Sequence, residues 1–275
     1  MTTASTASGG TSRSALRVGP RSAVTLAAAS FVGALMFIWP LLLTPSQEAD
    51  RVDPPFVFLV LMPVVIVVVL VELTEGGMDS RALAMLGVLT AINGALRTLG
   101  AGTSGVELVF FLLVLAGRVF GPGFGFALGC TSLFASALLT GAVGPWLPFQ
   151  MMCAAWIGMA AGLLPRRVSG RWEIAMLVVY GVVVAYVFGM LMNLWSWPFL
   201  LGAEISGQGE RTLAFDPGAS LRENLQSFGL YTLATSTATW DTGRAITNAL
   251  AIVVLGPAVL ATLRRAARRA RHLPA

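Results

Sequence analysis

The feature that most limits how this chain can fold is a series of apolar runs, each about as long as a bilayer is thick. A helix needs about 20 mostly apolar residues to cross the hydrocarbon core, and lipid offers no partner for unpaired backbone groups. The sequence therefore predicts an all-α integral membrane protein with about eight transmembrane helices. The predicted spans are residues 23–43, 56–73, 81–99, 105–120, 123–139, 149–164 and 172–197, with a last one inside 228–264.

Composition supports this class and excludes others. Hydrophobic residues make up 56% and charged residues 11% of the 275, whereas about a quarter of a soluble domain is charged. The chain has no lysine, which excludes a Walker A loop and a Schiff-base lysine. His272 is the only histidine, and Cys130 and Cys153 lie in apolar runs. We therefore expect no enzyme activity, no metal site, no cofactor and no nucleic-acid binding.

The distribution of arginine predicts the orientation in the membrane. Cytoplasmic loops of membrane proteins carry an excess of arginine and lysine. Arginines crowd the loop 165–171 and the final residues, and are few in the polar segment 199–227. We expect a multi-pass protein of the cell membrane with both termini in the cytoplasm and segment 199–227 outside as a candidate lid. Residues 1–22 are read as a disordered tail and 265–275 as a basic tail.

Glycines spaced four apart predict that helix backbones approach closely within residues 117–164. Such spacing puts the glycines on one helix face, where another backbone can come near. Pro122 must interrupt the row, since proline cannot continue a helix interior. We expect one helix to end near Gly121, a second to begin near Gly123, and a third to begin at about Phe149. The glycines of the two rows are Gly117, Gly121, Gly125, Gly129, Gly158 and Gly162.

Polar and tryptophan residues from different spans are predicted to gather in the outer half of the membrane, with nothing comparable in the inner half. Buried polar groups in a membrane are costly and often functional. Glu107 is expected either to pair with Arg97 at the interface or to contact a ligand. The predicted ligand-site residues are Asn93, Arg97, Glu107, Trp146, Gln150, Asn193, Trp195, Trp240, Asp241, Arg244 and Asn248. Such a site suits a small organic molecule with a flat or ring-containing body.

Motifs in the glycine-rich region carry a family resemblance. The chain reads G-x-x-x-G-P-x-x-G-F-x-x-G from Gly117, S-A-L-L-T-G-x-V-G-P-W-L-P-F-Q-M from Ser136, and G-x-x-x-G-L-L-P from Gly158. Thr235-Ser236 and W-D-x-x-R-A from Trp240 follow. In this order the motifs resemble the substrate-binding S components of energy-coupling factor (ECF) vitamin transporters, most of all the actinobacterial branch, over residues 81–269.

The resemblance implies a six-helix binding core at residues 81–264, preceded by two additional helices within 23–74. It implies capture of a vitamin or vitamin precursor from outside, and delivery with a separate membrane T subunit and two ATPases that hydrolyse ATP. Cobalamin or a thiamine-type precursor is plausible as the ligand. By position, Gly87, Ala91 and Ala95 are the face on which the T subunit docks, although packing within the protein explains such a face equally well.

Two other functions remain open from the sequence. An ion-coupled secondary transporter of a small organic molecule could use Asp241 or Glu107 as its proton or ion site. A structural or assembly protein of the membrane would need no ligand site. A packed ion pair would also account for Asp241 and Arg244, which lie three residues apart on one predicted helix.

Overall fold

The computed structural model describes residues 19–42, 63, 64, 66, 67, 70, 71, 80–100, 105–200, 213–216 and 218–272. Its helices are α1 (Pro20–Leu42), α2 (Ser80–Leu99), α3 (Val109–Phe120), α4 (Pro122–Thr140), α5 (Leu147–Leu163), α6 (Arg171–Ser196), α7 (Leu221–Thr232), α8 (Thr242–Val254) and α9 (Gly256–His272). A short 3-10 turn, Trp197–Leu200, follows α6, and a π-helical segment, Leu233–Asp241, joins α7 to α8. The described residues contain no strand, so the all-α prediction is confirmed.

Four helices are long and apolar enough to cross a membrane by themselves: α1, α2, α4 and α6. The continuous helical stretch 221–254 forms a fifth span if it is taken together with α9. Helices α3 and α5 are apolar but shorter, with 12 and 17 residues. Of the second predicted span, residues 56–73, only residues 63, 64, 66, 67, 70 and 71 are described, and these are helical. The chain is therefore a helical, multi-pass membrane protein.

The glycine rows bring α3 and α4 against α5, as predicted. A Cβ added to Gly117 or to Gly125 would collide with the backbone carbonyl of Gly158, and one on Gly129 would collide with the backbone of Ala154. Only glycine allows the backbones to come this close. These glycines therefore serve packing within the core.

The turn between α3 and α4 also follows the prediction. α3 ends at Phe120, and α4 begins with Pro122 in its first turn, where the missing amide proton is not needed. Gly121 joins them with a φ of 100°, a conformation that favours glycine. A Cβ on Gly162 of α5 would touch this turn. The turn between α3 and α4 thus also requires a small residue at position 162 of α5.

The last predicted span, inside 228–264, is not one continuous helix. α8 ends at Val254, and α9 leaves it at an angle of 66°. Pro257 lies in the first turn of α9, where it cannot donate the hydrogen bond that would continue α8. α9 buries Leu260 and Leu263 and exposes Arg265 and Arg268, among others. The residues expected to form a basic tail are therefore part of a helix through His272.

The boundary of the polar segment 199–227 is also wrong. α7 begins at Leu221, behind a capping box in which Ser220 and Glu223 each bond the other's backbone. The spacing Ser-x-x-Glu is a sequence signal for such a helix start. Residues 213–216 pack beside α7, where the indole of Trp197 donates to the carbonyl of Leu213 at 2.9 Å and meets Phe215 edge-on. Residues 201–212, the middle of this segment, lie outside the described residues.

One of the two additional N-terminal helices is described, and it packs on the core. α1 lies against α5 and α6. Trp156 of α5 donates to the hydroxyl of Ser30 at 3.0 Å, and Phe37 meets Phe149 edge-on with 5.2 Å between ring centroids. Phe149 in turn stacks on Trp195 of α6 at 4.6 Å. α1 therefore supports the aromatic core next to Gln150.

Candidate functional site

Charged side chains collect at two opposite ends of the helix bundle. The Arg244 end is where α3 and α8 begin and α6 finishes, and it holds Glu107, Asp241, Arg244 and Asn193. The Glu173 end is where α3 finishes and α6 begins. Because α6 has 26 residues and a helix rises about 1.5 Å per residue, the two ends lie far apart.

Arg244 is the centre of the first group. Its Nε donates to Glu107 at 2.7 Å, and one of its terminal nitrogens donates to Asp241 at 2.8 Å. The guanidinium also lies over the rings of Phe188 and Phe110, 4.9 and 5.7 Å from their centroids. The side chains of Arg244 and Asp241 are 7% and 1% exposed, while that of Glu107 is 23% exposed. Glu107 is therefore the member of the group that an incoming molecule can reach.

The expected pairing of Glu107 with Arg97 is wrong, since Glu107 pairs with Arg244. The reason lies in the chain just before α3. Gly105 has a φ of 73°, and a Cβ placed on it would lie 2.7 Å from the Cα of Gly243. Because of this close approach, the chain before α3 packs against the start of α8, and Glu107 lies next to Arg244. The intrahelical pair of Asp241 and Arg244 was foreseen and is present.

Arg97 is held instead by neutral acceptors. One terminal nitrogen donates to the hydroxyl of Ser136 at 3.1 Å, and the other donates to the amide oxygen of Gln150 at 3.0 Å. Among the described residues, no carboxylate lies within ion-pair distance of Arg97. The end of α2 nevertheless abuts the chain before α3, since a Cβ on Gly100 would collide with the carbonyl of Val106, so both halves belong to one polar region.

A ladder of polar pairs joins α2 to α4 below Arg97. Successive pairs lie about one helical turn apart along α2, so together they align α2 with α4. Thr90 and Thr131 lie 2.7 Å apart through their hydroxyls, and Asn93 donates to Ser132 at 2.9 Å. The predicted site did not include Ser132 or Ser136. Their spacing of four in an apolar helix was the available signal.

A second chain of hydrogen bonds runs from α6 to Asp241. Asn193 donates to the hydroxyl of Ser236 at 2.8 Å, and Ser236 donates to the second carboxylate oxygen of Asp241 at 2.7 Å. Ser236 and Asp241 lie on the π-helical segment, a form often found at functional sites. Asp241 packs directly on Gly189 of α6, where a Cβ would collide with its carboxylate. Ser236 was quoted in a motif but not predicted as a site residue.

Two buried amide oxygens at this end have no hydrogen-bond partner in the described part of the chain. They belong to Asn93 and Asn248, and both side chains are fully buried. The amide nitrogen of Asn248 donates to the carbonyls of Glu107 and Arg244 at 2.7 and 2.8 Å. An unmet buried acceptor costs about 1–3 kcal/mol. The site therefore offers two acceptors to a molecule that brings donors.

The three predicted tryptophans lie in different surroundings. Trp195 is 7% exposed and packs in the apolar core against Phe149. Trp146, at the start of α5, and Trp240, on the π-helical segment, are 42% and 41% exposed. Trp195 is therefore a core residue with little surface for a ligand, whereas the rings of Trp146 and Trp240 are accessible to one.

The small-residue face of α2 points away from the polar ladder. Gly87, Ala91 and Ala95 are all exposed, and a Cβ on Gly87 would meet nothing within 4 Å. Asn93, on the other side of the same helix, is fully buried. No described part of the protein covers this face.

The Glu173 end, which the predicted topology places in the inner half of the membrane, does contain a polar cluster, contrary to the prediction. Glu173 is 2% exposed and accepts from Arg118 at 2.8 Å and from Arg264 at 2.6 Å. Arg118 also donates to the carbonyls of Leu164 and Val168, at 2.8 and 3.0 Å. The bend before α9 is what brings Arg264 back to Glu173. Sequence spacing gave no sign of this, because the three charges are on separate helices.

No group of three or more histidine, cysteine, aspartate or glutamate side chains that could hold a metal ion occurs within the described ranges. The chemistry available at the Arg244 end is therefore hydrogen bonding and charge pairing by arginine, carboxylate and amide side chains. Such groups can bind and orient an organic molecule.

Comparison with known proteins gives a family. A family model described as "ECF transporter, substrate-specific component" matches residues 81–267, well over half of the chain. Neither a search of curated proteins nor one of solved structures gives a match. The matched residues run from α2 into α9 and include both charged ends. The resemblance drawn from the motifs is confirmed, and the chain belongs to the family of substrate-specific components of ECF transporters.

Proposed function

We propose that this protein captures a vitamin or vitamin precursor outside the cell and delivers it together with separate T and ATPase subunits. The family supplies the first support, since its members are the substrate-binding components of transporters of this kind. The absence of lysine supplies the second, because the chain cannot form the phosphate-binding loop of an ATPase. ATP hydrolysis would then take place wholly in the partners.

The observation that carries this proposal is the polar region at the Arg244 end. Polar side chains there come from α2, the chain just before α3, α5, α6, the π-helical segment and α8. Keeping charges inside a membrane costs about 2–3 kcal/mol each at mid-depth. Helix packing alone needs no such groups, and two acceptors are left unmet. A binding site for an organic ligand explains both facts.

The central experiment compares uptake with and without the partners. Cells that express this chain alone should bind ligand without concentrating it, and accumulation should require the T and ATPase subunits. Accumulation that survives loss of the ATPases but stops with an uncoupler would contradict the proposal and favour the ion-coupled secondary transporter.

We propose that the Arg244 end faces the extracellular side of the membrane and the Glu173 end faces the cytoplasm. The exposed arginines near the Glu173 end support this orientation, since Arg166, Arg167, Arg265 and Arg268 are all exposed there. Single cysteines at Val143 and Ser169, both exposed, test it in a background without Cys130 and Cys153. An impermeant thiol reagent applied outside should label position 143 alone, and labelling of position 169 would reverse the orientation.

The uncovered face of α2 is proposed as the docking surface for the T subunit. Ala91→Leu together with Ala95→Leu should prevent assembly, since larger side chains hold the two backbones apart. Ligand binding should be unchanged, because the polar ladder is on the other side of α2. Leu83→Met, an exposed position on the same helix, is the control. Co-purification of the T subunit at normal yield with both leucines present would remove this face from the interface.

A further inference from the structure

The two sides of the ligand site carry opposite formal charges. Arg244 lies between two carboxylates, Glu107 and Asp241, so that group has a net charge of minus one. Arg97 is bound by the neutral acceptors of Ser136 and Gln150 and keeps its full positive charge. A molecule that fits both sides must place its negative group towards Arg97.

Arg97 has the geometry of an anion-binding side chain. A guanidinium stays charged and presents five N–H donors in a planar fork that matches carboxylate or phosphate. Ser136 and Gln150 hold the group in place through one donor from each terminal nitrogen. The other donors have no carboxylate to meet among the described residues. Two neutral side chains thus orient a cation that forms no ion pair within the described part of the chain.

The unpartnered amide oxygens are a second, independent indication. Asn93 precedes Arg97 by one turn of α2, so both are on the same helix face. Its amide nitrogen donates to Ser132, which leaves the oxygen as an unmet acceptor. At Asn248 two backbone carbonyls fix the amide nitrogen and leave the oxygen unmet in the same way. N–H or O–H groups of a ligand can satisfy these acceptors.

We propose that the ligand is an organic acid whose carboxylate or phosphate binds Arg97 and whose N–H or O–H groups donate to Asn93 and Asn248. The partly exposed carboxylate of Glu107 disfavours a second anionic group on that side of the ligand. Purely cationic and purely neutral molecules are disfavoured as the ligand, because they bring no anion to Arg97, which forms no ion pair among the described residues. The inference rests on the proposed function and specifies its ligand class.

The test uses pairs of compounds that differ in their anionic group. Suitable carboxylate pairs are nicotinate with nicotinamide, pantothenate with panthenol, and biotin with its methyl ester. Thiamine monophosphate with thiamine and pyridoxal phosphate with pyridoxal supply the phosphate arm. Binding to the purified full chain in lipid nanodiscs is measured by calorimetry. We expect at least one acid to bind, more than tenfold more tightly than its partner, and the arm to which it belongs identifies the anion.

Variants of Arg97 then assign that preference to this side chain. Arg97→Gln should reduce the preference for the acid to less than about threefold while the neutral partner binds as before. Arg97→Lys, which keeps the charge, should retain most of the preference. Arg265→Gln, the same change at an exposed position on α9, should change neither affinity. General structural damage would weaken the binding of both compounds. The ratio of their two affinities therefore distinguishes loss of the Arg97 contact from loss of structure.

The outcomes separate the inference from the proposed function. A cationic or neutral compound that binds as tightly as its acid, with uptake still dependent on the T and ATPase subunits, overturns the inference and leaves the function standing. A preference for the acid that survives Arg97→Gln also overturns it. If no compound binds and the partners give no uptake, the proposed function fails and the inference fails with it.

Discussion

The two ends of this protein build the same kind of ion triad with opposite composition. At the Arg244 end one arginine lies between two carboxylates, whereas at the Glu173 end one carboxylate lies between two arginines. Each triad has one partly exposed member, Arg264 at 45% and Glu107 at 23%, so exposure does not separate the two ends. The two ends differ in whether the donors and acceptors around each triad all have hydrogen-bond partners.

The Glu173 triad is closed. Arg118 also donates once from each terminal nitrogen, to the carbonyls of Leu164 and Val168, and so fixes the loop between α5 and α6. The Arg244 triad is open, since the oxygen of Asn248 beside it is unmet. A closed cluster holds helices together, whereas an open one leaves an acceptor for a ligand. We therefore expect the first to serve stability and propose that the second serves binding.

The largest expected effect is from Arg118→Met at the closed triad. The change leaves Glu173 with one partner and two loop carbonyls without their donor. Removing one member of a buried ion pair typically costs about 3–5 kcal/mol. The free energy of unfolding, measured in detergent by chemical denaturation, should fall by about that amount. Arg265→Met on the exposed side of α9 is the control, and equal stability of the two variants would contradict the distinction between the ends.

A smaller effect is expected from Gly189→Ala at the open triad. The added methyl group would occupy the place of the Asp241 carboxylate and push the π-helical segment away from α6. Overpacking of this kind costs about 1–3 kcal/mol. Gly229→Ala on α7 is the matched control, because a Cβ there meets nothing within 4 Å. Thermal unfolding of both variants should show destabilisation only at Gly189, and a neutral Gly189→Ala would show that Asp241 is not held as described.

The smallest expected effect on stability, and the sharpest on binding, is from Glu107→Gln. Asp241 still pairs with Arg244 in this variant, so the fold should be retained. Ligand affinity should fall about tenfold, or about 1.4 kcal/mol, since the exposed carboxylate is lost. Glu223→Gln is the control, because glutamine can replace glutamate in a capping box. Normal affinity measured by calorimetry, or a loss explained wholly by unfolding, would make the open triad structural as well.

Much of the fold could be predicted from local patterns. The apolar runs gave the membrane helices, and Pro122 gave the break between α3 and α4, because both act through backbone hydrogen bonding within a few residues. The last span was placed wrongly because its hydrophobic pattern continues through Leu255 while the helix direction changes there. The Ser220 capping box was readable and was missed.

The candidate site was predicted in its residues more than in its pairings. Asp241, Arg244 and Asn248 lie together, as their spacing suggested, and Glu107 joins them, which the sequence did not predict. Arg97 and Gln150 meet too, but through a hydrogen bond that no pattern indicated. Whether these residues bind a ligand stays a prediction.

The sequence by itself determined the class of protein, the family, and the helix faces on which polar and small residues lie. These depend on composition and on spacing within one helix. Only the tertiary structure decided that Glu107 joins Arg244 rather than Arg97, and that Arg264 returns to Glu173. The physical reason is that ion pairs between helices form where backbones approach or bend. The approach at Gly105 and the bend before α9 depend on packing between segments far apart in the chain.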